Sequence, residues 1–494
     1  MEKSWSEDIA PKRIVGMALA AALIVLSRIL PLPDGLSREG LTSVALLFAA
    51  LVMWLTETMN LAAVTILVVA MLPFFGIGVS AGAAAAGGVS NMDLFRMNVS
   101  ETWKQFGSNA FFFVLATFAL TAALATSTIP SRIARFALKL SGESSLKLVL
   151  LFLLGTALIS NLLSNVSACA LMASLAMAVI RSSGSSAHGT SQLAKALLIA
   201  VALGAMVGGF MTPSSTATNI LIMDLLESAG HPIPFAYWMV VGYPVGIITC
   251  LIIGVTLYIV FKPEKVSRQV LEISRRDAAQ AGPLTAREVK TLIITGLIFV
   301  FWISSTWIPV FNITLVALFG MCAFFLPGID VLTWKQFKDN ASWDVLFLIG
   351  GVGALAAGIQ STGAAMWFVD SVMSDAADWS PFMVALVCSA IVCLLHVIVP
   401  SGPAVAGLAA APMIAVALST DGAVSPITLG LITAFWSSTA FIFPTDAVTV
   451  LSYSYGHYKM TEFVKFGWLP TVILVAVIAF AVSALTGMIL PWIS

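Results

Sequence analysis

Long hydrophobic runs, separated by short polar interruptions, dominate the pattern along this chain. A run of about 20 apolar residues is the length that an α-helix needs to cross roughly 30 Å of hydrocarbon. Runs without a single charged side chain recur from end to end: Ile14–Ser27, Ser43–Leu55, Leu61–Val79, Leu148–Ile180, Ala196–Met223, Thr291–Leu326, Pro381–Leu395 and Thr471–Trp492. The pattern predicts an all-α polytopic membrane protein with about ten to twelve crossings.

One of these runs is too long and too polar for a single crossing. As one helix, Leu148–Ile180 would extend roughly 50 Å at 1.5 Å per residue, well beyond the hydrocarbon core. It contains the segment ISNLLSNVSACALM, in which two Asn and three Ser interrupt the apolar pattern. We therefore predict a break near Ser164–Ser167. A second break is predicted at Thr212–Asn219, where Pro213 lacks a backbone N–H and disfavours helix in the residue before it.

The polar interval 262–290 divides the chain into two halves with the same order of features. Its basic residues outnumber its acidic ones, which by the positive-inside rule predicts a cytoplasmic linker. In each half, a short Gly/Ala-rich run predicted as a re-entrant hairpin precedes two polar-interrupted helices. Paired interruptions of this kind indicate a transporter with internal repeats and a site near mid-membrane. The predicted boundaries are 1–261 (hairpin 107–128, broken helices 148–180 and 196–229) and 291–494 (hairpin 342–364, broken helices 381–419 and 425–456).

Composition excludes several other classes of protein. The chain is 59% hydrophobic and 10% charged, with a net charge of zero. A soluble domain needs more polar surface, and a neutral chain offers no electrostatic basis for binding nucleic acid. The four histidines are scattered without an HExxH motif, so we do not expect an enzyme. The five cysteines lie in apolar segments without CxxC spacing, so we expect no disulfide framework, metal cluster or cofactor.

A broken membrane helix exposes backbone groups that a solute can use. Free carbonyls, helped by Ser and Asn oxygens, suit a small cation such as Na⁺, whereas free N–H groups at a helix start suit an anion. The counterpart breaks of the second half hold Ser401 and Gly402, and Thr445 and Asp446. A carboxylate at membrane depth costs about 2.5–3.5 kcal/mol, so Asp446 is either a cation or proton site or a helix N-cap. For a single helix, Ser and Asn that simply bond neighbouring helices are the alternative reading.

The order of these landmarks resembles that of the divalent anion:sodium symporter family, whose members carry dicarboxylates, citrate or sulfate. The resemblance covers nearly the whole chain. It is carried by Trp54–Thr58, Ser164–Asn165, Gly208–Asn219, Trp343–Gly353 and Ser454–His457. It implies two inverted repeats with re-entrant helical hairpins and broken transmembrane helices, arranged as scaffold and transport domains. It also implies an elevator movement and a homodimer in the inner or plasma membrane.

The resemblance and the counterpart breaks together give the candidate site. Candidate substrate contacts are Ser164, Asn165, Ser167, Thr216, Ser401, Gly402 and Thr445. Candidate cation ligands, with Na⁺ as the expected ion, are Ser160, Ser164, Asn165, Ser215 and Asp446. The chain departs from the family at Val166, which replaces a Thr, and in the second half, where the Ser-Asn-Thr signature is absent. Sodium symport and sodium-independent exchange therefore both stay open.

The expected function is secondary active transport of a small dicarboxylate or tricarboxylate. No Lys or Arg lies in the candidate site, so the anion would be held by helix N–H groups, hydroxyls, amides and co-bound cations. A transporter of sulfate or another inorganic oxyanion is the main alternative, and an anion channel is a further one.

Overall fold

The computed structural model describes residues 11–78, 90–129, 132, 136, 140, 144–182, 191–265, 283–372, 379–399, 401–444 and 446–493. Most of this described part is α-helical and it contains no β-strand, which confirms the all-α prediction. Seven of its helical segments are long and apolar enough to span a bilayer: Arg38–Leu55, Asn91–Ala125, Gln192–Met211, Phe235–Phe261, Trp343–Ser361, Pro381–Ile398 and Met460–Trp492.

The first half of the described chain contains ten helices. They are α1 (Pro11–Ile29), α2 (Arg38–Leu55), α3 (Leu61–Met71), α4 (Asn91–Lys104), α5 (Asn109–Ala125), α6 (Ser145–Ser160), α7 (Asn165–Ser182), α8 (Gln192–Met211), α9 (Ala217–Ser228) and α10 (Phe235–Phe261).

The second half of the described chain contains ten more. They are α11 (Ala286–Ser304), α12 (Ile313–Ala323), α13 (Trp334–Asn340), α14 (Trp343–Ser361), α15 (Ala364–Val372), α16 (Pro381–Ile398), α17 (Gly402–Leu418), α18 (Pro426–Ser437), α19 (Ala447–Tyr453) and α20 (Met460–Ile493). Because α11 begins at Ala286, the end of the predicted linker is helical. Residues 266–282 of that linker lie outside the described residues.

Side-chain caps fix where many of these helices begin. Ser, Thr and Asn at an N-cap accept hydrogen bonds from backbone N–H groups that the first turn cannot satisfy. Asn60 caps α3 and Asn312 caps α12 in the same way, each through its side-chain oxygen. Thr285 and Glu288 form a capping box at the start of α11.

Helices α6 and α7 form a helical hairpin whose tip is residues 161–164. Asn165, at the start of α7, lies against Gly209 near the end of α8. Cys169 contacts Val448 of α19, and α19 reaches back to Leu198 in the first half of α8. The arm α7 therefore runs back along α8 instead of continuing in the direction of α6. The interruption predicted in 148–180 is present, and it reverses the chain.

A second hairpin is formed by α16 and α17. The end of α16 and the start of α17 both lie at the end of α18, where His396 contacts Trp436 and Gly402 contacts Ser437. A short connection, 419–425, then joins α17 to an antiparallel α18. The interruption predicted within 381–419 is therefore also a hairpin tip.

The sequence-based prediction of hairpins at 107–128 and 342–364 is wrong. Each segment contains one continuous helix, α5 or α14. The small residues of these segments serve close packing instead of a turn. A Cβ on Gly351, for example, would stand 1.9 Å from the Thr65 methyl of α3.

Packing between the two halves is reciprocal. The helix after the first break, α9, packs on α17 and α18, and the helix after the second break, α19, packs on α7 and α8. In the same way α3 packs on α14, and α12 packs on α5. Asn60 of α3 bonds Asp344 at the start of α14, and Thr314 of α12 bonds Asn109 at the start of α5. Each half thus completes the other, and both hairpin tips are brought to broken helices.

Candidate functional site

The tip of the first hairpin is bonded to the end of α8. The Ser160 hydroxyl lies 2.8 Å from both the Asn165 side-chain oxygen and the Ala205 carbonyl. Asn165 packs directly on Gly209, where a Cβ would stand 2.5 Å from the Asn165 amide nitrogen. The result is a buried cluster of three oxygens, from a hydroxyl, an amide and a backbone carbonyl. Oxygens of this kind are ligands for hard cations.

The break between α8 and α9 covers Thr212–Thr216, and side-chain hydrogen bonds stabilise its conformation. The amide of Asn219 donates to the carbonyls of Gly209 and Thr212, at 2.8 Å each. These bonds satisfy carbonyls that the interrupted helix leaves without partners. The Ser215 hydroxyl donates to Asn161 of the hairpin tip at 3.0 Å. Tip and break therefore form one polar unit.

The second hairpin tip makes an equally close contact with the end of α18. Gly402, the first residue of α17, lies so near the Ser437 carbonyl that a Cβ would stand 2.3 Å from that oxygen. His396 is buried and its Nδ1 donates to the Trp436 carbonyl at 2.6 Å. His396 is thus a hydrogen-bonded core residue.

The two broken helices meet at their interrupted ends. The rings of Phe210 and Phe435 stack with centroids 4.3 Å apart. Trp238 packs on Phe435 and donates its indole N–H to the Phe210 carbonyl at 2.9 Å. Across the halves, the Thr218 hydroxyl lies 3.9 Å from where a Cβ on Gly402 would stand. The polar groups of both halves thus surround one central region.

Several buried polar atoms near these breaks have no hydrogen-bond partner among the described residues. They are Thr216 Oγ1 and Asn219 Oδ1 at the first break, and Ser437 Oγ, Ser438 Oγ and His396 Nε2 at the second. A buried polar group without a partner costs about 1–3 kcal/mol, so such a cluster calls for an explanation. A polar solute bound between the breaks would supply the missing bonds.

The chemistry of this region suits a small anion together with a hard cation. The described residues contain no group of three or more His, Cys, Asp and Glu that could hold a metal ion. The oxygen cluster around Ser160 fits Na⁺. The start of α7 offers backbone N–H groups and the positive end of a helix to an anion.

The structure places the predicted residues as follows. Ser164 is exposed at the first tip, and its hydroxyl bonds that of half-buried Ser167 at 2.8 Å. Thr216 ends the first break, Ser215 contacts the first tip, and Ser401 and Gly402 form the second tip. Asp446 is the N-cap of α19 and accepts the Val448 N–H at 2.9 Å, while Thr445 lies outside the described residues.

Sequence reasoning missed four residues that the structure brings to the same region. Asn161 and Asn219 organise the first tip and break, and Ser437 and Ser438 end α18. The Asn residues lie in segments that already read as polar. The two Ser follow an apolar run, and only the end of α18 at Ser437 gives them significance.

The start of α8, at the opposite end from the break, is anchored by Glu264. Its carboxylate accepts the N–H groups of Gln192 at 3.0 Å and Leu193 at 2.6 Å, and the Ser191 hydroxyl at 3.4 Å. Burial by itself raises the pKa of this carboxyl, but the donated hydrogen bonds outweigh that effect and hold the pKa below its usual value. The carboxylate also complements the positive end of the helix.

Helical hairpins and broken helices that meet inside an all-α membrane protein are typical of membrane transporters. Comparison with known proteins agrees. The profile of the family described as "Sodium:sulfate symporter transmembrane region" matches residues 11–493, so the chain belongs to this family of membrane transporters.

Relatives are similar over most of their length. The sodium-dependent dicarboxylate transporter SdcS of Staphylococcus saprophyticus is 26% identical, over 96% of this chain and 92% of its own. A membrane protein of Cupriavidus necator is 24% identical, over 87% of this chain and 83% of its own. Among solved structures, the Alcanivorax borkumensis YdaH transporter is 14% identical, covers 91% of this chain and 98% of its own, and has a TM-score of 0.49.

Proposed function

We propose that the protein is a secondary active transporter of small dicarboxylates or tricarboxylates. The observation that carries this proposal is the meeting of two hairpin tips and two broken helices around buried polar atoms that have no partner among the described residues. The SdcS relatives, named for sodium-dependent dicarboxylate transport, support the substrate class. The family's description as a sodium:sulfate symporter region makes sulfate, or another inorganic oxyanion, the alternative substrate.

In this proposal the anion binds between the tips. Its contacts are Ser164, Asn165, Ser167, Thr216, Ser401, Gly402 and Thr445, with the unpartnered hydroxyls of Ser437 and Ser438 beside them. Na⁺ binds the oxygen cluster of Ser160 and Asn165 next to Ser164 and Ser215. Asp446 is the candidate ligand for a second cation, in addition to its observed role as an N-cap.

The proposed movement is an elevator movement between inverted repeats. Reciprocal packing of α9 and α19, and of α3 and α12, supports a two-fold relation between the halves. The hairpins with α8–α10 and α18–α20 form the transport domain, and α2–α5 with α11–α14 form the scaffold. A homodimer joined through the scaffold and a cytoplasmic 262–290 linker complete the proposal.

Uptake of radiolabelled succinate into proteoliposomes tests this function. An inward Na⁺ gradient should drive uptake if the protein is a symporter, and internal succinate without Na⁺ should drive it if the protein is an exchanger. Unlabelled citrate or malate should compete more strongly than sulfate. Saturable counterflow supports a carrier, whereas large unitary currents would establish a channel instead.

A pair of variants connects this assay to the site. Asn165→Ala removes the amide at the first tip and should abolish uptake. Asn340→Ala removes an exposed amide that donates to the Gln336 carbonyl of its own helix α13, and it should leave uptake unchanged. Equal uptake by both variants would contradict the proposed site.

A further inference from the structure

Two carboxylates lie where their own helix disfavours them. Asp224 and Glu227 are three residues apart in the C-terminal half of α9, a helix of 12 residues without a basic side chain in its last turn. The C-terminal end of a helix carries partial negative charge and repels carboxylates. In the described part of the chain, neither carboxylate forms an ion pair. Local helix stability does not explain these residues.

Two neighbouring helices begin beside these carboxylates. Asp224 and Glu227 line a cavity of about 60 Å³ together with the first turn of α5 and the N-cap and first turn of α12. Both helices begin at this cavity, α5 behind the cap Ser108 and α12 behind the cap Asn312. Half-buried Asp224 therefore lines the cavity at which these two helices begin, and a helix start carries partial positive charge. Both of these helices belong to the proposed scaffold, whereas α9 follows the break in the proposed transport domain.

The counterpart segment in the other half lacks this device. α19, which corresponds to α9 in the reciprocal packing, reads AVTVLSY and carries no Asp or Glu. Of the two equivalent helices, only α9 thus carries carboxylates within its own range that line a cavity at helix starts. Because α9 carries charges that α19 lacks, the two transport states differ in energy and one of them is favoured.

We propose that Asp224 is a positioning residue for transport. Its carboxylate, held against the N-terminal ends of α5 and α12, stabilises the present position of α9 relative to the scaffold and so sets the balance between the two transport states. The inference rests on the proposed function, because it requires that α9 moves past α5 and α12. It is independent of which anion is carried.

The test measures the populations of the two states. Spin labels at Ser228→Cys on α9 and Val310→Cys in the α11–α12 connection, in a Cys322→Ser background, report the distance between α9 and the scaffold. Asp224→Asn should raise the population of the second distance by roughly three- to thirtyfold, the range expected for losing a carboxylate from two helix ends. Asp224→Glu keeps the charge and should resemble the parent.

A double-mutant cycle of Asp224 and Asn312 separates an effect on positioning from an effect on folding. Asn312→Asp keeps a good N-cap but places a second carboxylate at the cavity, so it should also favour the second distance. In the double variant Asp224→Asn, Asn312→Asp the repulsion is gone, and the two effects should be clearly less than additive. Asp93→Asn, which removes an exposed carboxylate paired with Arg96 on its own helix, is the control and should change nothing.

The outcomes separate the two proposals. Unchanged distances in Asp224→Asn, equal behaviour of the Asn and Glu variants, or strict additivity in the cycle would overturn the role of Asp224. In the same preparations, succinate uptake by Asp224→Asn should change in apparent KM as well as in maximal rate, because the population of the state that binds succinate changes. If the parent protein takes up neither succinate nor sulfate, the proposed function itself fails.

Discussion

The two adjacent glycines of α8, Gly208 and Gly209, should respond differently to the same substitution. A Cβ at Gly209 would stand 2.5 Å from the Asn165 amide nitrogen, so the end of that flexible side chain must move by about 0.9 Å to reach an ordinary 3.4 Å contact. The Asn165 side-chain oxygen, which would stand 3.0 Å from the same Cβ, is displaced as well, and its 2.8 Å bond with Ser160 is weakened or lost. A Cβ at Gly208 would instead stand 2.2 Å from the Ala157 carbonyl, which is backbone and cannot give way locally.

The magnitudes follow from these contacts. Loss of the Ser160–Asn165 bond is worth about 0.5–1.5 kcal/mol, or roughly a two- to twelvefold loss of affinity for a ligand held there. Gly209→Ala also gains up to about 1 kcal/mol in helix propensity, so its fold should survive. Gly208→Ala must push α6 away from α8, and overpacking of this kind costs about 1–3 kcal/mol.

Two assays read the difference. We expect Gly209→Ala to keep the thermal unfolding temperature of the parent in detergent while its apparent affinities for Na⁺ and succinate fall in proteoliposome uptake. Gly208→Ala should unfold at a lower temperature. Parental affinities in Gly209→Ala, or parental stability in Gly208→Ala, would refute the reasoning.

Three further predictions concern the groups that hold the broken helices. Glu264→Gln should lower stability at neutral pH. Because the pKa of this carboxyl is depressed, its stabilising contribution is present above about pH 4.5, the ordinary Glu value, and is lost as the pH falls below that value. The thermal unfolding temperatures of variant and parent should therefore converge in acid. Lys195 and Glu462 form an ion pair at 2.6 Å, with side chains 7% and 30% exposed. Glu462→Gln leaves the more buried charge without its partner, so it should lower the unfolding free energy by about 1 kcal/mol or more beyond the effect of Lys195→Met. The reverse order would contradict this. Asn219→Leu should cost about 2–4 kcal/mol by leaving two buried carbonyls without donors, and unchanged unfolding would show that another group satisfies them.

Sequence alone reveals the interruptions but not their geometry. Pro213 and the hydroxyls around it predict the break that the structure has at Thr212–Thr216. The polar residues of 160–167 also predict an interruption, yet only tertiary packing shows that the chain turns back there. A reversal of the chain and a break within a helix both require polar residues in the local sequence, because both leave backbone groups at helix ends without partners.

The wrongly predicted hairpins have a related cause. Gly weakens a helix in isolation, whereas Gly and Ala together allow helices to approach closely. In α14 the second use prevails, as the contact of Gly351 with Thr65 shows. Ser437 and Ser438 were missed for the opposite reason. Their importance depends on the end of α18 at that point and on the contact of Gly402 with it. An apolar run in the sequence predicts neither feature.

The central claim is that a small anion binds where the hairpin tips meet the broken helices, and substrate protection of Ser164 tests it most directly. In a Cys322→Ser background, Ser164→Cys places a thiol at the exposed tip, and Ser454→Cys places one in the exposed turn after α19 as a control. Alkylation of the two thiols in detergent is timed with and without succinate, sulfate and Na⁺. The account predicts that succinate with its coupling ion slows alkylation at 164 severalfold and leaves 454 unchanged. Equal alkylation rates at 164 with and without every anion tested would contradict it.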